Sequence, residues 1–186
     1  MSIINTPLKN KKTTIIAGAA IFSALVAIIE YISLAIPLLR IPFPLFPTLK
    51  FDMAEIPAAL SFFVYGYPTG ILTSAILPLT IIARGTRDPI GAFLKGIAVL
   101  STILGLAQLW ERNKYLSGVL GTVSRVIFLS IVNLITLPTL YGYSLETTLF
   151  LLPTIALFNT AHAVITIGGA YAIYKILLGR LPKFNI

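Results

Sequence analysis

The sequence has no cysteine, a single histidine and only six acidic residues. Without thiols the chain can form neither a disulfide nor a thiolate metal site. The one histidine, His162, has no acidic residue or cysteine at ligand spacing, so we predict no metal site. The sequence also lacks a Gly-rich phosphate loop, an HExxH motif and a Ser/His/Asp set. We therefore predict that the chain is not an enzyme and binds no cofactor of its own.

Charged residues are scarce as well, at 11% of the 186 residues, whereas a soluble domain carries about a quarter. Hydrophobic residues make up 57% of the chain, and the mean hydropathy is +0.94. A soluble core cannot bury this much apolar surface, so the composition predicts an integral membrane protein. One span needs about 20 apolar residues, which leaves room for about five to seven spans in one domain.

Apolar runs divide the chain into a basic tail (1–12), a membrane domain (13–178) and a second basic tail (179–186), and both tails are predicted to be cytoplasmic. The domain is predicted to be an all-α bundle of six transmembrane helices, over about 13–37, 51–66, 69–83, 89–110, 116–140 and 148–178. The first run is too long for the apolar core of a signal peptide, so we interpret it as a mature span. Helices two and three, about 15 residues each, fall short of the bilayer core. They are either packed inside the bundle or form one broken hairpin, and a five-span arrangement stays open.

Between the first two helices lies "PLLRIPFPLFPTLK", with four prolines in 14 residues. Proline removes a backbone donor and bars the helical conformation for the residue before it. We predict an extended, apolar outer loop that lies against the bundle or covers something.

The distribution of Lys and Arg sets the predicted orientation, because cytoplasmic loops carry the excess of positive charge. With six spans, both termini share a side with the more basic segments (Lys9, Lys11, Lys12, Arg112, Lys114, Lys175, Arg180, Lys183). The other side carries Arg40, Lys50, Arg84 and Arg87. Both termini are therefore predicted to be cytoplasmic, in a multi-pass protein of a prokaryotic cell membrane. The net charge of +8 is explained by this bias and does not require a nucleic-acid partner.

Polar side chains at bilayer depth are costly, and they usually face the bundle interior or a site. Here they are Glu30, Lys95, Arg125, Asn133, Asn159 and His162. Glu30 is interpreted as an interfacial or paired carboxylate, and Arg125 as paired or snorkelling. The position of Lys95 is equally consistent with a role in ligand binding and with a structural role. Asn133, Asn159 and His162 could bind a planar polar ligand, or could join helices by hydrogen bonds.

Two short patterns flank these positions. On helix one, Ala20 and Ala24 form a small-xxx-small pair, which lets another helix approach closely, either inside the bundle or from a partner. At the start of helix two, Asp52 and Glu55 have the spacing of a helix N-cap and capping box, and Lys50 could pair with one of them. The alternative is that Lys50, Asp52 and Glu55 contact a ligand.

Five stretches in chain order resemble the substrate-binding S-components of energy-coupling factor (ECF) vitamin transporters, in particular the riboflavin-type members. They are "AAIFSAL", "LKFDMAEIPAALSFFVYGYPTGIL", "RDPIGAFLKGIAVL", "SIVNLITLPTLYG" and "ALFNTAHAVITIGGAYAIYKIL". The resemblance implies a subunit that binds a vitamin from outside with high affinity. It also implies partners, a transmembrane coupling protein and two ABC-type ATPases that hydrolyse ATP, and reorientation of the S-component in the membrane.

The resemblance also implies roles for particular residues. Ala20 and Ala24 would face the coupling protein, the Pro-rich loop would cover the pocket, and Asn133, Asn159, His162 and Lys95 would bind the substrate. Riboflavin-type members often carry Glu and Asn where this chain has Ala92 and Lys95, and a Lys where it has His162. These differences leave open whether the vitamin is riboflavin or another one, such as niacin, thiamine, folate or a queuosine precursor.

Three other functions stay open. A proton-coupled secondary transporter would need an intramembrane acid that titrates, and Glu30 is the acid available. Under that hypothesis Glu30→Gln abolishes uptake, whereas an S-component would keep its binding. A non-transport membrane scaffold would bind no small molecule, and an intramembrane enzyme has the least support.

Overall fold

The computed structural model describes residues 11–180, and the predicted tails lie almost entirely outside that range. Six helices make up the bundle: α1 (Lys11–Ala35), α2 (Glu55–Tyr65), α3 (Tyr67–Ala83), α4 (Pro89–Leu109), α5 (Lys114–Leu140) and α6 (Leu145–Arg180). Two strands, β1 (Arg40–Phe43) and β2 (Phe46–Asp52), lie between α1 and α2. The fold is therefore helical, as predicted, with one added β-hairpin.

The segment between α1 and α2 is extended, as predicted, but it forms a β-hairpin rather than an irregular loop. After a short 3-10 turn over Pro37–Leu39, β1 pairs with β2 in antiparallel register, with Arg40 opposite Asp52 at the base. The register shifts between Pro42 and Phe43. Proline is tolerated in such a two-stranded edge because half of the backbone donors face away from the partner strand. As β2 runs to Asp52, α2 begins four residues later than predicted.

Helix α2 is short because it begins inside the bundle. Its first residue, Glu55, is fully buried against Arg125 in the middle of α5, and eight of its eleven residues are buried. The hairpin occupies the depth that a longer helix would have filled. A single glycine, Gly66, with φ of 87°, joins α2 to α3, and α3 returns antiparallel to it. Of the two arrangements predicted for these short helices, packing inside the bundle is the correct one for α2.

The connections gather at opposite ends of the bundle. The hairpin, the α3–α4 turn and the α5–α6 turn meet at one end, where Arg84 contacts Glu30 and Tyr141 contacts Asp88. At the other end, Trp110 stacks on Phe63 at 4.5 Å and packs against Tyr171 and Tyr174. The ends of α1 and α6 that carry Lys11 and Arg180 lie at this second end. Which end faces the cytoplasm stays a prediction.

Among the described residues, four helices are long and apolar enough to cross a bilayer, namely α1, α4, α5 and α6. The apolar helices α2 and α3 are shorter. Large apolar side chains on the long helices, among them Ile21, Ile28, Ile131 and Val164, are more than half exposed. Because lipid is the solvent that such a surface requires, these faces fit contact with acyl chains.

Helices α4 and α5 approach each other closely at Gly105. A Cβ added there would lie 2.6 Å from Ser124 Oγ and 2.8 Å from the Cα of Gly121, and would also collide with the Leu120 carbonyl. Two of these obstacles are backbone atoms, which cannot move aside without separating the helices. Glycine at this position therefore sets the distance between α4 and α5.

We expect Gly105→Ala to lower the free energy of unfolding by about 1–3 kcal/mol, because the added methyl overpacks the crossing. Thermal unfolding in detergent measures this loss. Gly168→Ala is the matched control, since a Cβ at Gly168 meets no atom within 4 Å and alanine favours the helix. Equal stability of the two variants would show that the crossing can expand at no cost.

Candidate functional site

A cavity of about 320 Å³ opens at the end of the bundle where the hairpin lies. All the residues predicted to bind substrate line it, and so do the three from the start of helix two: Asn133, Asn159, His162, Lys95, Lys50, Asp52 and Glu55. Ala20 and Ala24 do not line the cavity, and both are exposed on α1. The structure therefore brings side chains from the hairpin and from four helices to one small space.

Five charged side chains, the outer ion cluster, lie beside the cavity mouth: Glu30, Arg40, Asp52, Arg84 and Lys95. Glu30 is fully buried and is shared by three cations, with Oε2 2.6 Å from Arg40 Nη2 and 3.2 Å from Arg84 Nη1. Its Oε1 accepts a hydrogen bond from Lys95 Nζ. Glu30 is thus a paired carboxylate, which is one of the roles that the sequence analysis gave it.

Lys95 joins the outer ion cluster to the hairpin. Its Nζ lies 2.5 Å from Asp52 Oδ2, so one ammonium bridges the carboxylates of α1 and β2. Arg40 and Asp52 stand opposite each other at the hairpin base, and each binds a helix, through Glu30 and Lys95 respectively. Both strands are therefore held to the bundle by ion pairs, and Lys95 has a structural role whether or not it also meets ligand.

The predicted helix cap at Asp52 and Glu55 was wrong. The N-cap of α2 is Ala54, which makes no side-chain cap hydrogen bond. Asp52 Oδ1 instead accepts from the Ala54 backbone N–H at 3.0 Å, within the turn that precedes the helix. Lys50 is exposed and has no ion-pair partner among residues 11–180. Instead of capping α2, Asp52 pairs with Lys95 and Glu55 pairs with Arg125.

The inner wall of the cavity is built around Arg125. Its guanidinium binds both oxygens of Glu55, at 2.5 and 3.1 Å, and donates from Nε to Asn159 Oδ1 at 3.0 Å. The Arg125 side chain is 2% exposed, so its charge is compensated inside the bundle rather than by snorkelling. Thr166 Oγ1 adds a weak hydrogen bond to Glu55 at 3.3 Å.

His162 connects this inner network to the hairpin. Arg125 Nη2 lies 3.2 Å from Nδ1, and because arginine can only donate, Nδ1 must accept. The ring proton then sits on Nε2, which donates to the backbone carbonyl of Asp52 at 3.2 Å. The contacts therefore assign the neutral Nε2–H tautomer, with both ring nitrogens engaged.

Asn133 differs from the other predicted site residues. Its Nδ2 donates to the Leu129 carbonyl one turn earlier on α5, at 2.7 Å. Its Oδ1 has no hydrogen-bond partner within residues 11–180, although the residue is only 6% exposed and lines the cavity. An amide oxygen is an acceptor, so this oxygen can accept a hydrogen bond from a ligand or from water in the cavity.

Aromatic packing holds the hairpin on α6. Phe51 lies 4.9 Å from Phe158 and 5.6 Å from the His162 ring, measured between ring centroids. Phe43, on the other strand, also contacts Phe158 at 5.6 Å. The hairpin covers the cavity. It is held there by ring contacts on α6 and by the ion pairs to α1 and α4.

Sequence reasoning did not identify the partners of the charged groups. Arg125 was expected to pair, but nothing local pointed to Glu55. Arg40 and Arg84 were counted as outer-loop charges, and nothing in the sequence tied them to Glu30. Tyr141, beyond the end of α5, also went unnoticed; its hydroxyl donates to Asp88 Oδ1 at 2.8 Å, and partial burial together with this carboxylate raises the pKa of Tyr141.

The fold matches that of a known protein over nearly its full length. The solved structure of the S component of a bacterial ECF transporter superposes with a TM-score of 0.77, over 90% of this chain and 97% of that one, at 21% identity. The chain has the fold of an ECF S component. The expected resemblance is thereby confirmed at the level of fold, and the S-component fold, with its apolar helices, makes the chain a multi-pass membrane protein.

Sequence comparison agrees with this S-component fold. The chain is 25% identical over 123 residues to the riboflavin transporter RibU of Staphylococcus aureus (strain TCH60). The match spans 63% of this chain and 65% of the relative. No family model matches the chain. The proteins that this S-component fold resembles are transporter components rather than enzymes.

Proposed function

We propose that the chain is the vitamin-binding subunit of an ECF-type uptake transporter, and that its substrate is riboflavin or a related vitamin. The observation that carries this proposal is the cavity beneath the hairpin, in an S-component fold whose sequence relative is a riboflavin transporter. Its volume of about 320 Å³ lies at the small end of the range for ligand pockets.

The lining supports a planar, polar ligand. Leu129, Leu137, Ile155 and Phe158 offer apolar contacts along α5 and α6. Asn133 supplies an unpaired carbonyl oxygen on the same wall, which suits a ring N–H. A few fixed polar groups on an apolar wall are what orients a small ligand in a pocket.

The proposed partners come from the resemblance to ECF S-components. The sequence has no phosphate-binding loop, so this chain would not itself hydrolyse ATP. The resemblance implies that two ABC-type ATPases hydrolyse it and that a transmembrane coupling protein links them to this chain. Ala20 and Ala24 are exposed one turn apart on α1, which supports a surface where a partner helix packs closely. The subunit would then deliver its vitamin by reorienting in the membrane, with both termini in the cytoplasm.

The test is a flavin titration of the purified protein. We expect the protein in detergent to carry or take up riboflavin, with absorption near 350–550 nm and saturable quenching of flavin fluorescence. A folded protein without any flavin signal would overturn riboflavin as substrate. A thermal-shift screen of other vitamins would then decide whether the cavity binds a vitamin at all, since a scaffold would bind none.

We expect Asn133→Ala to weaken vitamin binding by about tenfold, because it deletes the unpaired acceptor on the cavity wall. Fluorescence titration gives the change in Kd. Thr139→Ala is the matched control: its hydroxyl also bonds only a carbonyl of α5, that of Ile135 at 2.7 Å, but it is exposed and does not line the cavity. Equal Kd values for both variants would remove Asn133 from the site.

The geometry disfavours a proton-coupled secondary transporter. Glu30, the acid that such a mechanism would use, makes ion pairs with three cations, and the mechanism would have to break them. Loss of uptake in Glu30→Gln would not separate the two hypotheses, because the change disturbs the fold in either case. Uptake measured with a protonophore and with ATP depletion separates them, since only the secondary transporter depends directly on the proton gradient.

A further inference from the structure

The outer ion cluster contains more positive charge than its acids balance. Arg40, Arg84 and Lys95 share two carboxylates, those of Glu30 and Asp52, which leaves one net positive charge. All five side chains are at least four-fifths buried, and Glu30 is entirely so. An unmatched charge in such surroundings is costly unless a counter-charge comes from elsewhere.

The cluster also has more hydrogen-bond donors than acceptors. The Nε atoms of Arg40 and Arg84 are both buried without a hydrogen-bond partner. The Arg84 side chain is only 10% exposed, and both arginines line the cavity. Buried N–H groups of this kind are normally satisfied, so the cluster lacks acceptors as well as negative charge.

Neither neighbouring acid, Glu55 or Asp88, makes an ion pair with a cation of the outer ion cluster among residues 11–180. Glu55 is held by Arg125, and Asp88 accepts from the Gly91 backbone and from Tyr141, both through Oδ1 at 2.8 Å. Lys50, exposed at the cavity mouth, adds a further cation that has no ion-pair partner in the described part of the chain. The mouth of the cavity therefore suits a negatively charged group that accepts hydrogen bonds and donates none.

We propose that the cavity takes a vitamin in an anionic form, one bearing a carboxylate or a phosphate, with the anionic group against Arg84, Lys95 and Lys50. This inference rests on the proposed function and narrows its substrate class. The oxyanion supplies the missing negative charge. Arginine and lysine donate strong, charge-assisted hydrogen bonds to such groups.

The experiment compares vitamins that differ only in the anionic group. Riboflavin and riboflavin 5′-phosphate form one pair, and nicotinamide and nicotinate form another. We expect the anionic member of the pair that binds to bind about tenfold to a hundredfold more tightly than the neutral member. Isothermal titration with the full chain in detergent gives both Kd values.

Arg84→Gln is the informative variant, because it leaves two cations facing two carboxylates. The ratio of neutral to anionic Kd should fall towards one. Arg87→Gln is the matched control, since Arg87 is exposed three residues along the same turn and does not line the cavity, and the ratio should be unchanged. If Arg84→Gln does not fold, Lys50→Gln, an exposed position, should still lower the ratio.

The outcomes separate the two proposals. Equal Kd values within a pair would overturn the anionic preference and leave the vitamin-binding function standing. Binding by neither pair, nor by any vitamin in the thermal-shift screen, would overturn both. If inorganic phosphate alone stabilises the protein and does not compete with riboflavin 5′-phosphate, the cluster holds a separate ion, and the proposal fails in that form too.

Discussion

Replacing Arg125 with methionine will lower the free energy of unfolding by about 3–5 kcal/mol. The change leaves the Glu55 carboxylate buried in the bundle without its cation, and it removes the donors that hold Asn159 and His162. Vitamin binding should be lost together with stability, because these side chains form the inner wall of the cavity. Thermal unfolding in detergent and ligand titration measure the two losses.

A second substitution distinguishes an unpaired charge from a packing defect. The double variant Glu55→Met with Arg125→Met removes both charges, so it should recover more than half of the stability that Arg125→Met loses. Arg112→Met, at an exposed position at the opposite end, should stay within about 0.5 kcal/mol of the parent. A double variant no more stable than Arg125→Met would show that the buried charge is not the cause.

Replacing Glu30 with glutamine will also lower the free energy of unfolding by about 3–5 kcal/mol, because Arg40 and Arg84 lose their carboxylate partner and Lys95 keeps only that of Asp52. The base of the hairpin should detach first, since Arg40 loses the partner that joins β1 to α1. Trypsin should then cleave after Arg40 and Lys50 much faster than in the parent. Cleavage rates and thermal unfolding report the local and the global effect.

Glu146→Gln provides the control for this carboxylate-to-amide change. Glu146 is exposed in the first turn of α6 and has no ion pair among the described residues. It should leave both stability and tryptic cleavage of the hairpin unchanged. A Glu30→Gln protein that resists trypsin as well as this control does would mean that the Lys95–Asp52 ion pair and ring packing on Phe158 are sufficient to hold the hairpin.

Local patterns in the sequence were sufficient for the helices. Hydropathy and proline breaks gave all six within a few residues, except for the start of α2. They also gave the polar positions that face the cavity, since a side chain such as Asn133 in an apolar helix has few other places to lie. The order of the quoted stretches indicated the S-component resemblance before any coordinates.

Two features could not be predicted because they depend on contacts between distant segments. The hairpin forms because β1 pairs with β2 and because Phe43 and Phe51 pack on α6. A segment with several prolines does not predict either contact. The predicted cap at Asp52 and Glu55 followed a valid local rule, but stronger partners were available elsewhere in the fold.

By itself, the sequence determined that the chain crosses a membrane, where its helices run and which polar groups are buried, because apolar periodicity and the cost of burying charge are local properties. Only the tertiary structure decided how the charges pair. Arg125 lies 70 residues from Glu55, and Lys95 lies 65 from Glu30 and 43 from Asp52. Inside the bundle, a buried charge is stabilised by an opposite charge that the fold brings near it. The two residues can be far apart in the sequence, so the sequence alone does not show which charges pair.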